Sequence, residues 1–171
     1  GHLDNLLSHT DKKRAKQPKH LPAMPWKDVP AFMQRLTGIE GRDAAALRLV
    51  ILTGARYGMV RFAAWNEFDL EAGIWSLAAP RMKGKKAFAV PLSRQAIELV
   101  QLLPRIDNSP YLFPGTGAKT GAMNQGATMQ LLRSMRHGDI TTHGFRTSFR
   151  TWASECTNYP RDVCELSLAH D

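Results

Sequence analysis

The feature that most constrains the fold of this chain is a change of hydrophobic period partway along it. From Met24 onward the apolar residues recur mostly at helical spacing, but residues 74–77 and 87–90 are short strand-like runs around the basic turn at residues 81–86. Two such runs around a turn predict a small antiparallel sheet. The fold class predicted is therefore mainly α with a small antiparallel β-sheet, an α+β fold.

The helical pattern divides into segments that have their own start and stop signals. Asp28, Ser93 and Thr142 are predicted N-caps, and Gly38 and Gly54 follow predicted helix ends. A short extended piece is predicted at residues 111–113. The predicted helices cover residues 28–36, 44–52, 57–64, 94–103, 127–137, 143–156 and 160–170.

Composition changes near the start of the chain and indicates how it is organised. Residues 1–9 resemble the end of a helix, and residues 10–23 are basic, contain proline and lack any period, which is typical of a linker. Residues 24–171 are the predicted folded domain. The pattern of the last helix continues to Asp171, so we expect it to extend further.

Charge indicates the class of partner. The chain carries 23 Lys and Arg against 15 Asp and Glu, a formal net charge of +8. A basic excess favours a polyanionic partner such as nucleic acid, although a solubility surface is the alternative. The basic residues are also grouped, which favours nucleic acid. The groups are Arg81, Lys83, Lys85 and Lys86 in the turn, and Arg133, Arg136, Arg146 and Arg150 further on.

Other classes are disfavoured by what the sequence contains. It has no apolar run of eighteen residues, so we expect no membrane span. Cys156 and Cys164 are expected to be buried, reduced thiols in a reducing compartment. The tryptophans are expected to have core roles and Tyr159 to be a packing residue at the start of the last helix. The tryptophans are Trp26, Trp65, Trp75 and Trp152.

Phosphodiester chemistry defines which side chains to look for. Attack on a phosphate builds negative charge on its oxygens, which guanidinium groups stabilise, and the leaving alkoxide needs a proton from Lys or His. Arg56 lies at a helix–helix junction, and His143 and Arg146 lie three residues apart on one helix. Each of these residues taken alone is also consistent with an ordinary surface position.

Taken together, these residues resemble the tyrosine recombinases, and most closely the integrases of prophages and genomic islands. The resemblance covers nearly the whole chain, with its motifs in the family's order. The matching segments are KHLPAMPWKDVPAFMQRL (19–36), LRLVILTGARYGMVR (47–61), WNEFDLEAGIWSLAAPRMK (65–83), VPLS (90–93) and ITTHGFRTSFRTWASECTNYPRDVCELSLAH (140–170).

The resemblance implies the tyrosine recombinase catalytic-domain fold and a set of catalytic residues. Arg56 and Arg146 would hold the scissile phosphate of DNA, and Lys83 would protonate the leaving 5′-oxygen. His143 and His170 would hydrogen-bond the phosphate or assist proton transfer. The DNA-binding residues would be Arg81, Lys85, Lys86 and Arg150.

The resemblance also implies the wider activity. The partner would be a double-stranded DNA attachment site, cleaved and rejoined through a 3′-phosphotyrosine bond that requires no cofactor, ATP or metal. Residues 1–9 would be the end of a core-binding domain upstream. The full-length protein would assemble on DNA in the bacterial cytoplasm, at the nucleoid.

The sequence departs from the family pattern at three positions. The nucleophilic tyrosine is expected about three helical turns after His170, beyond Asp171, so we expect the chain by itself to be inactive. Met59 stands where the family favours an acid that orients the first arginine, and Phe88 stands where it often has a histidine.

Two alternative functions stay open at this point. Met59, Phe88 and the position of the tyrosine are consistent with a DNA-binding protein of this type that does not catalyse. A metal-dependent nuclease would need a carboxylate cluster, and the only acidic group in the sequence that suggests one is Glu67, Asp69 and Glu71. Activity in the presence of a chelator would separate the recombinase from the nuclease.

Overall fold

A computed structural model describes residues 22–116 and 119–169 of the chain. The predicted helix end at residues 1–9, the linker up to residue 21 and His170 lie outside the described residues. The helices within the described part are α1 (Val29–Thr37), α2 (Arg42–Thr53), α3 (Tyr57–Arg61), α4 (Arg94–Leu102), α5 (Ala127–Ser134), α6 (Gly144–Cys156) and α7 (Arg161–Ser167). Short 3₁₀ turns lie at Trp26–Asp28, Trp65–Glu67 and Ala79–Arg81.

Three strands form the sheet, in the order β1 (Phe68–Asp69), β2 (Ile74–Leu77) and β3 (Phe88–Pro91). Both pairings are antiparallel, and β2 faces β3 from the Ile74–Pro91 pair to the Leu77–Phe88 pair. The predicted small antiparallel sheet is confirmed. The strand β1 was not predicted, because two residues are too few to show a period.

Local signals set several helix boundaries where they were predicted. The Ser93 hydroxyl accepts a hydrogen bond from the Ala96 N–H at 3.2 Å and caps α4. Helix α2 ends at Gly54, which has a φ of 67°, a left-handed conformation that favours glycine. The end of α2 is important for the site, because Arg56 follows two residues later.

Helix α2 lies between two hydrophobic clusters and is buried on both sides. Leu49 and Val50 pack in a cluster with Trp75 of β2, and Leu47 packs in a second cluster with Phe32 of α1. A helix that is apolar on both faces has little freedom to shift. The core therefore fixes the position of the turn that carries Arg56.

Several predicted boundaries and environments are wrong. Helix α3 ends at Arg61, because Ala64 pairs with Tyr111 in an isolated β-bridge and leaves the helix. Helix α5 ends at Ser134 and α7 at Ser167, each three residues before the predicted end.

None of the helices in the described ranges is long and apolar enough to cross a membrane.

The aromatic and thiol side chains also differ from expectation. Trp75 is fully buried and stacks on Phe68, but Trp152 is 40% exposed, so its predicted core role is wrong. Tyr159, predicted to pack at the start of the last helix, is 69% exposed. Both cysteines are free, but Cys156 is exposed and Cys164 is only half-buried. Cys164 lies in α7, and none of the residues of that helix is buried.

The other two tryptophans are half-buried rather than fully in the core. The Trp26 Nε1–H donates to Glu155 Oε2 at 2.8 Å, and the Arg105 guanidinium lies over the Trp65 ring, 4.3 Å from its centroid. Both rings therefore pack at the edge of the domain, where polar groups reach them.

Candidate active site

Two arginines from distant parts of the sequence meet at one backbone segment. Arg56 is the N-cap residue of α3, and Arg146 lies in the first turn of α6. The Arg56 Nη2–H donates to the Ala169 carbonyl at 3.1 Å, and the Arg146 Nη2–H donates to the neighbouring Leu168 carbonyl at 2.5 Å. A further bond joins Arg146 Nη1 to the Gly54 carbonyl, at the end of α2.

Arg56 and Arg146 place two positive charges close together. Arg146 is only 2% exposed, whereas Arg56 is half-buried. Burial, followed by repulsion from the Arg56 charge, lowers the pKa of Arg146 to about 10, while Glu165 acts in the opposite direction. Arg146 is therefore still charged at neutral pH.

One donor of Arg146 is not used by the described part of the protein. Its Nε atom is buried and has no hydrogen-bond partner among the described residues. A buried donor without an acceptor is costly, by roughly 1–3 kcal/mol. An unpaired buried donor of this kind is found at sites where a bound ligand supplies the missing acceptor.

His143 is brought to the start of the helix that carries Arg146. It is the N-cap residue of α6 and is exposed. The predicted cap, Thr142, is wrong: the Thr142 hydroxyl forms a buried bond of 2.8 Å with the Thr128 hydroxyl. The first N–H of α6, that of Gly144, donates instead to the Thr141 hydroxyl at 3.0 Å.

The N-terminal end of α6 is held by the first described residues of the chain. The Thr141 N–H donates to the Pro22 carbonyl at 3.1 Å, and the Ser148 hydroxyl donates to the Met24 carbonyl at 2.5 Å. Gly144 lies so close that a Cβ there would be 2.3 Å from the Pro22 oxygen. Residues 22 and 23, which we predicted as linker, therefore pack with the folded domain.

Lys83 lies in the exposed loop between β2 and β3. The loop is anchored by Arg81, whose Nε–H donates to Glu67 Oε1 at 2.6 Å and whose Nη2–H donates to the Met59 carbonyl at 3.0 Å. Lys85 is exposed and has a φ of 53°. The anchor connects the Lys83 loop to α3, the helix that follows Arg56.

Two of the expected DNA-binding arginines have internal partners. Arg81 is engaged with Glu67 and Met59, and Arg150 forms an ion pair of 2.5 Å with Glu165 that joins α6 to α7. These contacts favour a structural role for both. Lys85 and Lys86 are exposed, which leaves them available to a phosphate backbone.

The positions that depart from the family pattern are apolar in the structure as well. Met59 is 6% exposed in the core, and Phe88 is half-buried against the same cluster. Tyr57 donates its hydroxyl to the Asn124 carbonyl at 2.7 Å, and burial raises the pKa of Tyr57. A phenol that is hydrogen-bonded in this way and hard to ionise is a poor nucleophile.

Sequence reasoning missed the residues that accept from the arginines. Gly54 was interpreted only as a helix end, and Leu168 and Ala169 only as neighbours of His170. Glu67 was considered only as a metal ligand, yet its carboxylate accepts from Arg81, from the Trp75 Nε1–H at 2.9 Å and from the Ala64 N–H at 3.2 Å. In the described ranges no three His, Cys, Asp or Glu residues form a group able to hold a metal ion.

Known proteins resemble this chain over most of its length. The model of the phage integrase family matches residues 23–170. The integrase of Enterobacteria phage P4 is 34% identical, in an alignment covering 89% of this chain and 39% of that protein. The prophage integrase IntZ of Escherichia coli is also 34% identical, covering 92% of this chain and 40% of that protein. The chain thus spans about two fifths of the length of these relatives.

Solved structures share the fold at lower identity. The integrase from mycobacterium phage Brujita superposes with a TM-score of 0.67 at 21% identity, covering 90% of this chain and 51% of that one. A lambda integrase dimer bound to a COC′ core site gives a TM-score of 0.64 at 16% identity, covering 92% and 58%.

The fold is that of the catalytic domain of tyrosine recombinases. With the family model matching most of its length, the chain belongs to the phage integrase family.

Proposed function

We propose that this chain supplies the catalytic domain of a tyrosine-type site-specific DNA recombinase that integrates mobile DNA. The observation that carries the proposal is the meeting of Arg56 and Arg146. Their side chains are brought together although 90 residues separate them in sequence. Two adjacent guanidinium groups with spare donors form a site for one phosphate group.

In this proposal, the pair stabilises the charge that develops when DNA is cleaved. Arg56, which is half-buried, is the member that a phosphate reaches first. Arg146 adds a second charge from a buried position, where screening by water is weak. Positive charge placed in advance costs no reorganisation at the moment of reaction.

The remaining groups transfer protons while the phosphodiester bond of the DNA is broken and re-formed. The family's tyrosine oxygen attacks phosphorus, the bond from phosphorus to the 5′-oxygen breaks, and Lys83 gives that oxygen a proton. A second 5′-hydroxyl then reverses the step on the phosphotyrosine, so the bond energy is kept and no ATP is needed. His143 and His170 would hydrogen-bond the phosphate oxygens or assist the proton transfer.

The proposed partner is a double-stranded attachment site in bacterial DNA. Lys85 and Lys86 lie in the same loop as Lys83 and would contact the DNA phosphates there. Contacts to phosphates do not distinguish one base sequence from another. Arg81 and Arg150 would act on DNA through the elements that they hold in place. Self-assembly on the site belongs to the same proposal for the full-length protein.

The test is formation of a covalent adduct by a protein that joins this chain to the family's tyrosine segment. Mixed with a nicked substrate carrying the attachment site, it should form a protein–DNA adduct on a denaturing gel, with or without a chelator. Arg56→Lys and Arg146→Lys should each slow the adduct by roughly 100-fold or more, because lysine cannot reproduce the planar fork.

A matched control is available on α4. Arg94 is exposed, and its partner within the described part of the chain is Glu98, four residues along the same helix. Arg94→Lys should therefore leave the rate unchanged. DNA binding without any adduct would instead support a non-catalytic DNA-binding protein. Loss of activity in chelator would support a metal-dependent nuclease.

A further inference from the structure

The two described residues after α7, Leu168 and Ala169, pack against the domain, and Leu168 is the more deeply buried of the two. Helix α7 buries none of its residues, but Leu168, directly after it, is 2% exposed. Leu168 packs on Gly54, where an added Cβ would lie 2.9 Å from Leu168 Cδ2. This contact joins the end of α2 to the segment whose carbonyls accept from the arginine pair.

We propose that Leu168 is a positioning residue for the two arginines. By packing on Gly54, its side chain holds its own carbonyl against Arg146 and the Ala169 carbonyl against Arg56. Ala169 takes a φ of 52°, a strained conformation for a residue with a Cβ, and its carbonyl accepts the bond from Arg56. The inference rests on the proposed function for its catalytic consequence.

Carbonyl groups, rather than a carboxylate, orient the arginines because of the residue at position 59. Met59 is apolar and buried, so it offers no carboxylate to orient Arg56. A carbonyl accepts from a guanidinium without cancelling its charge. The pair therefore keeps both positive charges, at the cost of the mutual repulsion that helps to lower the pKa of Arg146.

The bonds to the carbonyls are compatible with phosphate binding. Each guanidinium has five N–H groups, and the bonds seen use one on Arg56 and two on Arg146. Both groups therefore have donors that the described residues do not use. The competing idea is that Leu168 and Ala169 occupy the place of the phosphate and must leave when DNA binds, and it predicts effects of opposite sign.

The positioning can be measured directly on the 171-residue chain by nitrogen-15 NMR of arginine side chains. The Hη signals of Arg56 and Arg146, assigned by their loss in Arg56→Lys and Arg146→Lys, should exchange slowly with water. In Leu168→Ala they should exchange at least about 10-fold faster, because the acceptors are no longer held. Leu168→Met should restore slow exchange, since methionine refills the contact.

A neighbouring leucine is the control. Leu166 is 66% exposed, so Leu166→Ala should leave both signals unchanged. If Leu168→Ala loses the dispersed amide spectrum of a folded protein, the milder Leu168→Val should give an intermediate exchange rate. Unchanged arginine signals in folded Leu168→Ala, or in folded Leu168→Val, overturn the proposal.

The catalytic consequence is tested in the protein that carries the tyrosine. Leu168→Ala should slow adduct formation about 10- to 100-fold, with duplex binding changed less than about 2-fold, and Leu168→Met should recover the rate. A faster adduct in Leu168→Ala would mean that the carbonyls compete with the phosphate. If the two arginine variants leave the adduct unaffected, the proposed function fails, while the NMR result still decides the positioning.

Discussion

Gly144→Ala is the substitution whose effect the structure determines most closely. An added Cβ would lie 2.3 Å from the Pro22 oxygen and 3.0 Å from the Ala23 Cα. Because carbon and oxygen in contact need more than 3 Å, the Pro22 carbonyl must retreat by about 1 Å. That movement breaks the 3.1 Å bond from the Thr141 N–H.

The expected cost combines three terms. Overpacking of a tight contact costs about 1–3 kcal/mol, and the lost hydrogen bond costs about 1 kcal/mol. Replacing glycine by alanine at the start of α6 returns up to about 1 kcal/mol through helix propensity. The net effect should be a loss of about 1–4 kcal/mol in the free energy of unfolding.

Urea unfolding measures this loss, and Gly58→Ala is the matched control. Gly58 lies in α3 with nothing within 4 Å of its added Cβ, so alanine there should be neutral or stabilise by up to about 1 kcal/mol. With a slope of about 2 kcal/mol/M, the midpoints of the two variants should differ by about 0.5–2.5 M. Equal midpoints would refute the packing of residues 22–23 on α6.

A double-mutant cycle tests the cause of the loss. Removing residues 1–23 takes away the atoms that Gly144→Ala would clash with, so the substitution should then cost much less than in the whole chain. A penalty that persists after the truncation would place its origin elsewhere, for example in the geometry of α6 itself.

Three further predictions concern the exposed loop and the chain as a whole. Lys83→Ala should suppress cleavage of ordinary DNA, and a substrate with a sulfur leaving atom at the 5′ position should rescue it, because sulfur needs no proton. Absence of rescue would reject the general-acid role. Lys85→Ala should only weaken binding and lower the slope of log K against log salt by about one. Glu67→Gln should lower the free energy of unfolding by about 1–3 kcal/mol in thermal melts because Arg81 loses its charged partner, whereas the exposed Glu71→Gln should change it little. The 171-residue chain should bind duplex DNA with a Kd on the order of 10⁻⁴–10⁻⁶ M in salt-dependent titrations, and it should form no covalent adduct. An adduct would show that one of its three tyrosines, or another of its side chains, attacks the phosphate.

The sequence by itself determined the elements whose signals are local. The antiparallel pair around residues 81–86 followed from the change of period, the start of α4 from Ser93, and the end of α2 from Gly54. Each of these signals acts between residues a few positions apart, so it survives without knowledge of the fold. The resemblance to the family was also visible in the sequence, because it depends on the motifs and their order along the chain.

The tertiary structure decided which of the charged residues are free and what holds the others. Arg81 and Arg150 were grouped with the DNA-binding residues because of their charge, but Glu67 and Glu165 engage them in the fold. Likewise, the exposure of Trp152 follows from how its helix packs and not from its residue type. Burial and pairing depend on neighbours that are distant in sequence.

The partners of the arginine pair are the clearest case of what the sequence could not show. Arg56 donates to a carbonyl 113 residues away, and Arg146 donates to one 92 residues away. Every residue carries a backbone carbonyl, so an acceptor of this kind has no residue type by which a sequence can mark it. The Leu168 and Ala169 oxygens reach the two guanidinium groups because the fold places Leu168 against Gly54 and Ala169 against the hydrophobic core.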